Sequence, residues 1–117
     1  MHRFQKLDVY QRSLDFTRTT RQISQIFPKN EQYVLSAQFR RAADSISLNI
    51  CEGAGNDSPK EFSRFLAYSV RSGYECTGCL DIALHNGFIS KEVHAKHSAE
   101  IQEMVAMLVA LQKSIQK

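Results

Sequence analysis

Residues 38–53 read QFRRAADSISLNICEG. At about 3.6 residues per turn, Leu35, Phe39, Ala42, Ile46 and Ile50 share one helical face. Gln38, Arg41, Ser45, Asn49 and Glu52 run beside them in a file about 80° wide. A surface helix ordinarily sets its polar residues opposite the apolar stripe, not along its edge. We read this file as a lock between chains, with no reaction run on it. Within it, Arg41 is expected to be partly buried and neutralised by Glu75 or Glu52, because a buried charge without a partner costs several kcal/mol.

Upstream, residues 7–27 (LDVYQRSLDFTRTTRQISQIF) predict a first helix. Val9, Phe16, Thr20, Ile23 and Phe27 line one face, and Leu7, Tyr10, Leu14 and Thr17 an adjacent one. That surface is wide enough for two neighbours. Pro28 ends the helix, because the residue before a proline is driven out of helical geometry. Asn30 is placed to cap a second helix over 31–52, and Gly53 to end it in the left-handed conformation.

Downstream, Ser58-Pro59-Lys60-Glu61 sets a capping serine, a proline at the first helical position and a glutamate at the third. This opens a third helix over 59–86. Its core stripe runs from Phe62, Phe65, Leu66, Ser69, Val70 and Gly73 to Cys76, Leu80, Ala83 and Leu84, with Ser69 and Gly73 small enough to admit another helix closely. Tyr68, Glu75, Cys79 and Ile82 form a second, mixed patch of the kind that meets another chain. Asn86-Gly87 ends this helix and Ser90 caps a fourth over 91–116. There Val93, His97, Ile101, Met104, Leu108, Leu111 and Ile115 keep the three-four spacing of a bundle seam. No segment alternates with a period of two. The expected fold class is all-α: one domain over residues 1–117, an antiparallel up-down-up-down four-helix bundle.

Composition agrees. In 117 residues the hydrophobic fraction is 43% and the charged fraction 23%, with only two prolines and five glycines, which favours long helices over short strands. No apolar run approaches the ~20 residues of a membrane span, and the first residues have no apolar signal core. The expected location is the cytoplasm. The net charge of +3 is concentrated near the start, where residues 1–30 hold six Lys or Arg against two Asp. Such a bias permits an anionic partner without demanding one. Arg12, Arg18, Arg21 and Arg40 are the candidate nucleic-acid contacts.

Other chemistry is poorly supported. Gly53-Ala54-Gly55 lacks the Gly-Lys-Ser/Thr ending and the preceding strand of a phosphate loop. Cys76-x-x-Cys79 lies deep in a helix, not at the start of one following a strand, so each thiol reads as a small hydrophobe. The three cysteines are expected to be reduced. None of the four histidines follows a glutamate by three, which removes the usual metal motif of a bundle; His97 is expected at the seam edge and His94 in solvent. Asp44, Glu52, Glu75 and Asp81 supply no convergent pair with a nucleophile. No catalytic residue, cofactor site or metal site is expected.

The series Phe27-Pro28, Glu31, Gln38, Arg40-Arg41-Ala42, Ser45-Ile46, Asn49-Ile50 and Glu52-Gly53, continued by Glu61-Phe62, Phe65-Leu66, Ser72-Gly73 and Glu75, resembles the four-helix-bundle family also called 23S rRNA intervening-sequence proteins. That family includes the accessory variability proteins of diversity-generating retroelements. The resemblance spans essentially the whole chain. It implies an antiparallel four-helix protomer assembled as a ring-like homopentamer in bacterial cytoplasm. Genes of the family often lie in rRNA insertions, some relatives bind nucleic acid and a reverse transcriptase, and most have no assigned activity. Here Cys76 and Cys79 stand where apolar or small residues are usual, and the charge is lower than in the basic retroelement members. The expected function is a non-enzymatic homopentameric module that binds RNA, DNA or a protein–RNA complex through the basic surface of helix one and Arg40. The alternative is a protein-binding scaffold without nucleic-acid contact.

Overall fold

Four helices make up the regular structure: α1 (Asp8–Ser24), α2 (Leu35–Ala54), α3 (Pro59–His85) and α4 (Lys91–Ile115), with a 3-10 turn at Lys29–Glu31 between the first two. The structure is a computed structural model and describes residues 7–115. No strand occurs among the described residues, so the protein is all-α. His2, Arg3, Lys6 and the expected end of the fourth helix at Gln116 lie outside them.

The helix ends correct several expectations. α1 stops at Ser24, three residues before Phe27, as the amides of Gln25, Ile26 and Phe27 turn to carbonyls three residues back. α2 begins at Leu35, and Asn30 caps nothing; it sits in the 3-10 turn. The Gln32 side chain fixes that corner by donating to the carbonyls of Ser24 (2.9 Å) and Phe27 (3.3 Å). Gly53 is no left-handed cap. α2 continues to Ala54 and closes on Gly55 with φ −75°. A Cβ on Gly53 would lie 2.6 Å from Cβ of Phe65, so this glycine lets α3 approach.

Other ends match. The Ser58 hydroxyl accepts from the Glu61 amide at 3.3 Å, with Pro59 in the first turn. The Ser90 hydroxyl accepts from the Val93 amide at 3.1 Å. α3 ends one residue before the expected Asn86, on Gly87 with φ 75°, where the amides of Gly87 and Phe88 bond the carbonyls of Leu84 and Ala83. These two bonds form the Schellman arrangement.

The consecutive helices meet with residue numbers running in opposite senses. Ser13 meets Ser47 (2.8 Å) and Arg21 meets Asp44 (2.8 Å) between α1 and α2. Ser69 donates to the carbonyl of Ile46 (2.9 Å) and Ser72 to the Ser45 hydroxyl (2.9 Å) between α2 and α3. Gln112 donates to the Ser63 carbonyl (3.1 Å) and His94 meets Asp81 (2.8 Å) between α3 and α4. α2 and α3 share the most extensive interface, and α1 and α4 share far less than the consecutive helices do. The apolar stripes supply the core: Phe16, Phe39, Ile46, Ile50, Leu66, Leu80, Ile101 and Leu108 are fully buried. Phe39 is edge-on to Phe16 and stacked on Phe27. Gly73 is buried as its place in the stripe predicts, with Val105 Cγ2 2.8 Å from where a Cβ would stand.

Candidate functional site

The polar file divides into two parts. Ser45 and Asn49 are half-buried and bonded to each other, and Ser45 ties α2 to α3. The Asn49 amide donates to the Ser45 carbonyl (2.9 Å) and hydroxyl (3.0 Å), and Ser72 donates to the same hydroxyl. Gln38, Arg41 and Glu52, with Glu75 of α3, are exposed and make no hydrogen bond or ion pair among the described residues. The expected pairing of Arg41 with Glu75 or Glu52 is therefore not made within the chain. These side chains project into water, where a charge needs no partner.

The four candidate cations do not form one surface. Arg12 pairs with Glu103 of α4, and its hydrogen bond and charge hold the Glu103 carboxyl below the usual carboxylate range. Arg18 is exposed and unpaired among the described residues. Arg21 grips Asp44 with both terminal nitrogens (2.8 and 3.0 Å) and also donates to the Thr17 carbonyl. Arg40 is half-buried, with Nε on the Ser36 carbonyl and Nη2 on that of Gln32, both at 3.2 Å. Arg21 and Arg40 flank an open groove of about 530 Å³, which Arg41, Asp44, Ser45, Ala37 and Leu48 also line.

Sequence reasoning missed part of α3. Arg64 lies over Phe65 (5.3 Å to the ring centre) and Tyr68 (5.7 Å), and Arg71 over Tyr68 (5.6 Å). The steps of four and three from 64 to 68 to 71 carried that signal, because such residues are surface neighbours on a helix. Of the mixed patch, Ile82 is 50% exposed and Glu75 is exposed, but Cys79 is buried and leaves that surface. Tyr74 (62%) and Leu48 (65%) add apolar area in water.

Cys76 and Cys79 are built against reactivity. Burial, helped by the charge of Glu75, pushes Cys79 up to about 11, and burial pushes Cys76 higher still. All three cysteines are free. His94 is not solvated as expected; it is half-buried and bonded to Asp81. His97 is half-buried at the seam edge and meets Glu100. No group of three His, Cys, Asp or Glu among the described residues is placed to hold a metal ion. No helix among them is long and apolar enough to cross a membrane.

Residues 5–110 match the family model described as 23S rRNA-intervening sequence protein. The chain belongs to this family. The fold is also seen in a crystal structure, at 1.70 Å, of a protein of unknown function from the S23 ribosomal protein family of Bacteroides thetaiotaomicron VPI-5482. That structure is similar to this one with a TM-score of 0.83 and 22% identity, over 90% of this chain and 98% of the other. At that identity the likeness shows the fold alone. No curated protein matches the chain.

Proposed function

We propose that this protein is an antiparallel up-down-up-down four-helix bundle acting as a non-enzymatic, homo-oligomeric module of the bacterial cytoplasm. Its copies associate through the outer faces of α2 and α3 as a homopentamer, and arginines of α1 and α2 hold nucleic acid. The observation carrying the association is the unspent chemistry of one face. Arg41, Glu52 and Glu75 are exposed without partners, and Leu48, Tyr74 and Ile82 leave apolar area in water beside them. Opposite charges beside exposed aromatic and aliphatic groups suit a second copy, and closed symmetry satisfies every such face. The Arg64–Tyr68–Arg71 array supports the same use, since Tyr and Arg dominate binding energy at interfaces.

Light scattering tests the assembly. A mass of five protomers at micromolar concentration is expected, and a single protomer's mass would remove the proposal. Nucleic-acid affinity measured across a salt series tests the second part, where each phosphate neutralised on duplex DNA contributes about −0.9 to the log–log slope. A flat profile would favour the alternative reading, a protein-binding scaffold.

A further inference from the structure

Resting on the nucleic-acid reading above, we infer that the α1–α2 groove bordered by Arg21, Arg40 and Arg41 is the seat for a backbone phosphate of the bound strand. Three guanidinium groups from two helices converge on one groove, and only one carboxylate, Asp44, opposes them. Each is presented differently. Arg40 is held rigid by its bonds to two backbone carbonyls, which carry no charge to cancel its own. Its remaining N–H groups stay available, because a guanidinium has five donors. Arg21 is oriented by Asp44. Arg41 has no partner among the described residues and is exposed at the groove's edge.

Planar forks of this kind match a phosphate's oxygens, and two held arginines lose little freedom when they bind one. The groove has no aromatic lining to stack a base. Its contribution is therefore to backbone contact without sequence preference. Asp44 works against it, as a competing anion already on Arg21. Arg41 also borders the face proposed for association, and this is where the two roles can be separated.

The test measures binding of a fluorescein-labelled single-stranded RNA across a salt series, with light scattering on the same samples. Arg41→Ala is expected to weaken binding about tenfold at low salt and to reduce the single-strand salt slope by about 0.7, with affinity read per protomer at the mass that light scattering gives. Asp44→Asn should tighten binding severalfold, since it frees the Arg21 fork and removes a like charge. Lys113→Ala, which deletes an exposed charge on α4, is the control and should leave binding unchanged. If the wild type binds but Arg41→Ala matches the control, or Asp44→Asn weakens binding, the groove assignment is overturned and the nucleic-acid reading stands. If Arg41→Ala lowers the mass and spares binding, its charge belongs to association and the assignment is again overturned. A wild type that does not bind removes both. Inorganic phosphate alone, titrated by calorimetry, should bind far more weakly than the strand; equal affinity would make the free ion the ligand and overturn the strand assignment.

Discussion

Replacing Gly53 with alanine sets two effects of opposite sign against each other. Alanine is the better helix former by about 1 kcal/mol in a helix interior, and less near an end. Against this, the new Cβ would stand 2.6 Å from Cβ of Phe65 and 3.2 Å from Cδ1 of Phe62. Carbon atoms rest at about 3.5–4.0 Å, so α2 and α3 must part locally by about 1 Å. The Phe62 ring can turn aside, but Cβ of Phe65 is fixed to the α3 backbone and cannot. Overpacking of this kind costs about 1–3 kcal/mol. The net effect is a loss of about 1–2 kcal/mol, or roughly 4–8 °C in Tm for a domain of this size.

Thermal unfolding followed by circular dichroism reads it, with Gly78→Ala as the companion. A Cβ there meets nothing within 4 Å, so only the helix preference acts and Tm should rise by a few degrees. One substitution type is thus expected to give opposite signs at two sites. A Gly53→Ala protein as stable as the wild type would refute the close approach of the two helices and the reasoning built on it.

Further outcomes follow from other sites. Ellman's reagent at pH 8 should find one fast thiol per native chain, half-buried Cys51, and three in denaturant, because burial keeps Cys76 and Cys79 protonated. Ser58→Ala removes the acceptor for the Glu61 amide and should cost about 1 kcal/mol in urea unfolding, a typical loss for a helix cap. Glu103, held low by Arg12, contributes stability above its unfolded pKa and loses it as pH falls through the folded one. Arg12→Ala should move the Glu103 titration upward in NMR, with little change in stability because the pair is exposed.

The fold was readable because its apolar residues repeat at helical spacing. All five positions of the α2 stripe are buried, as are Val9, Phe16, Thr20, Ile23 and Phe27 around α1. Gly53 and Gly87 show where such reading stops. Both precede a short loop, yet only Gly87 takes positive φ, while Gly53 is a matter of distance to another helix. Spacing along one helix does not report that distance. The late start of α2 has a similar cause, since the Gln32 side chain bonds carbonyls of the preceding turn and not its own helix. The polar file was legible as a file. Within it the Asn49–Ser45 bond follows the four-residue spacing, whereas the bond that Ser72 makes to Ser45 depended on where α3 lies. The Arg21–Arg40–Arg41 groove required two helices to be placed side by side, so the candidate arginines were grouped by sequence and Arg41 was set apart from them.

α1 and α4, which share far less surface than the consecutive helices do, are also neighbours that no connecting segment joins. The molecule is in this respect a strip of four panels rolled into a tube, shut along one line by side chains. Its easiest excursion is to unroll there, leaving the α2–α3 serine bonds in place. Backbone amides should then exchange with deuterium soonest in the two outer panels and last in the two inner ones, a gradient set by topology more than by helix strength.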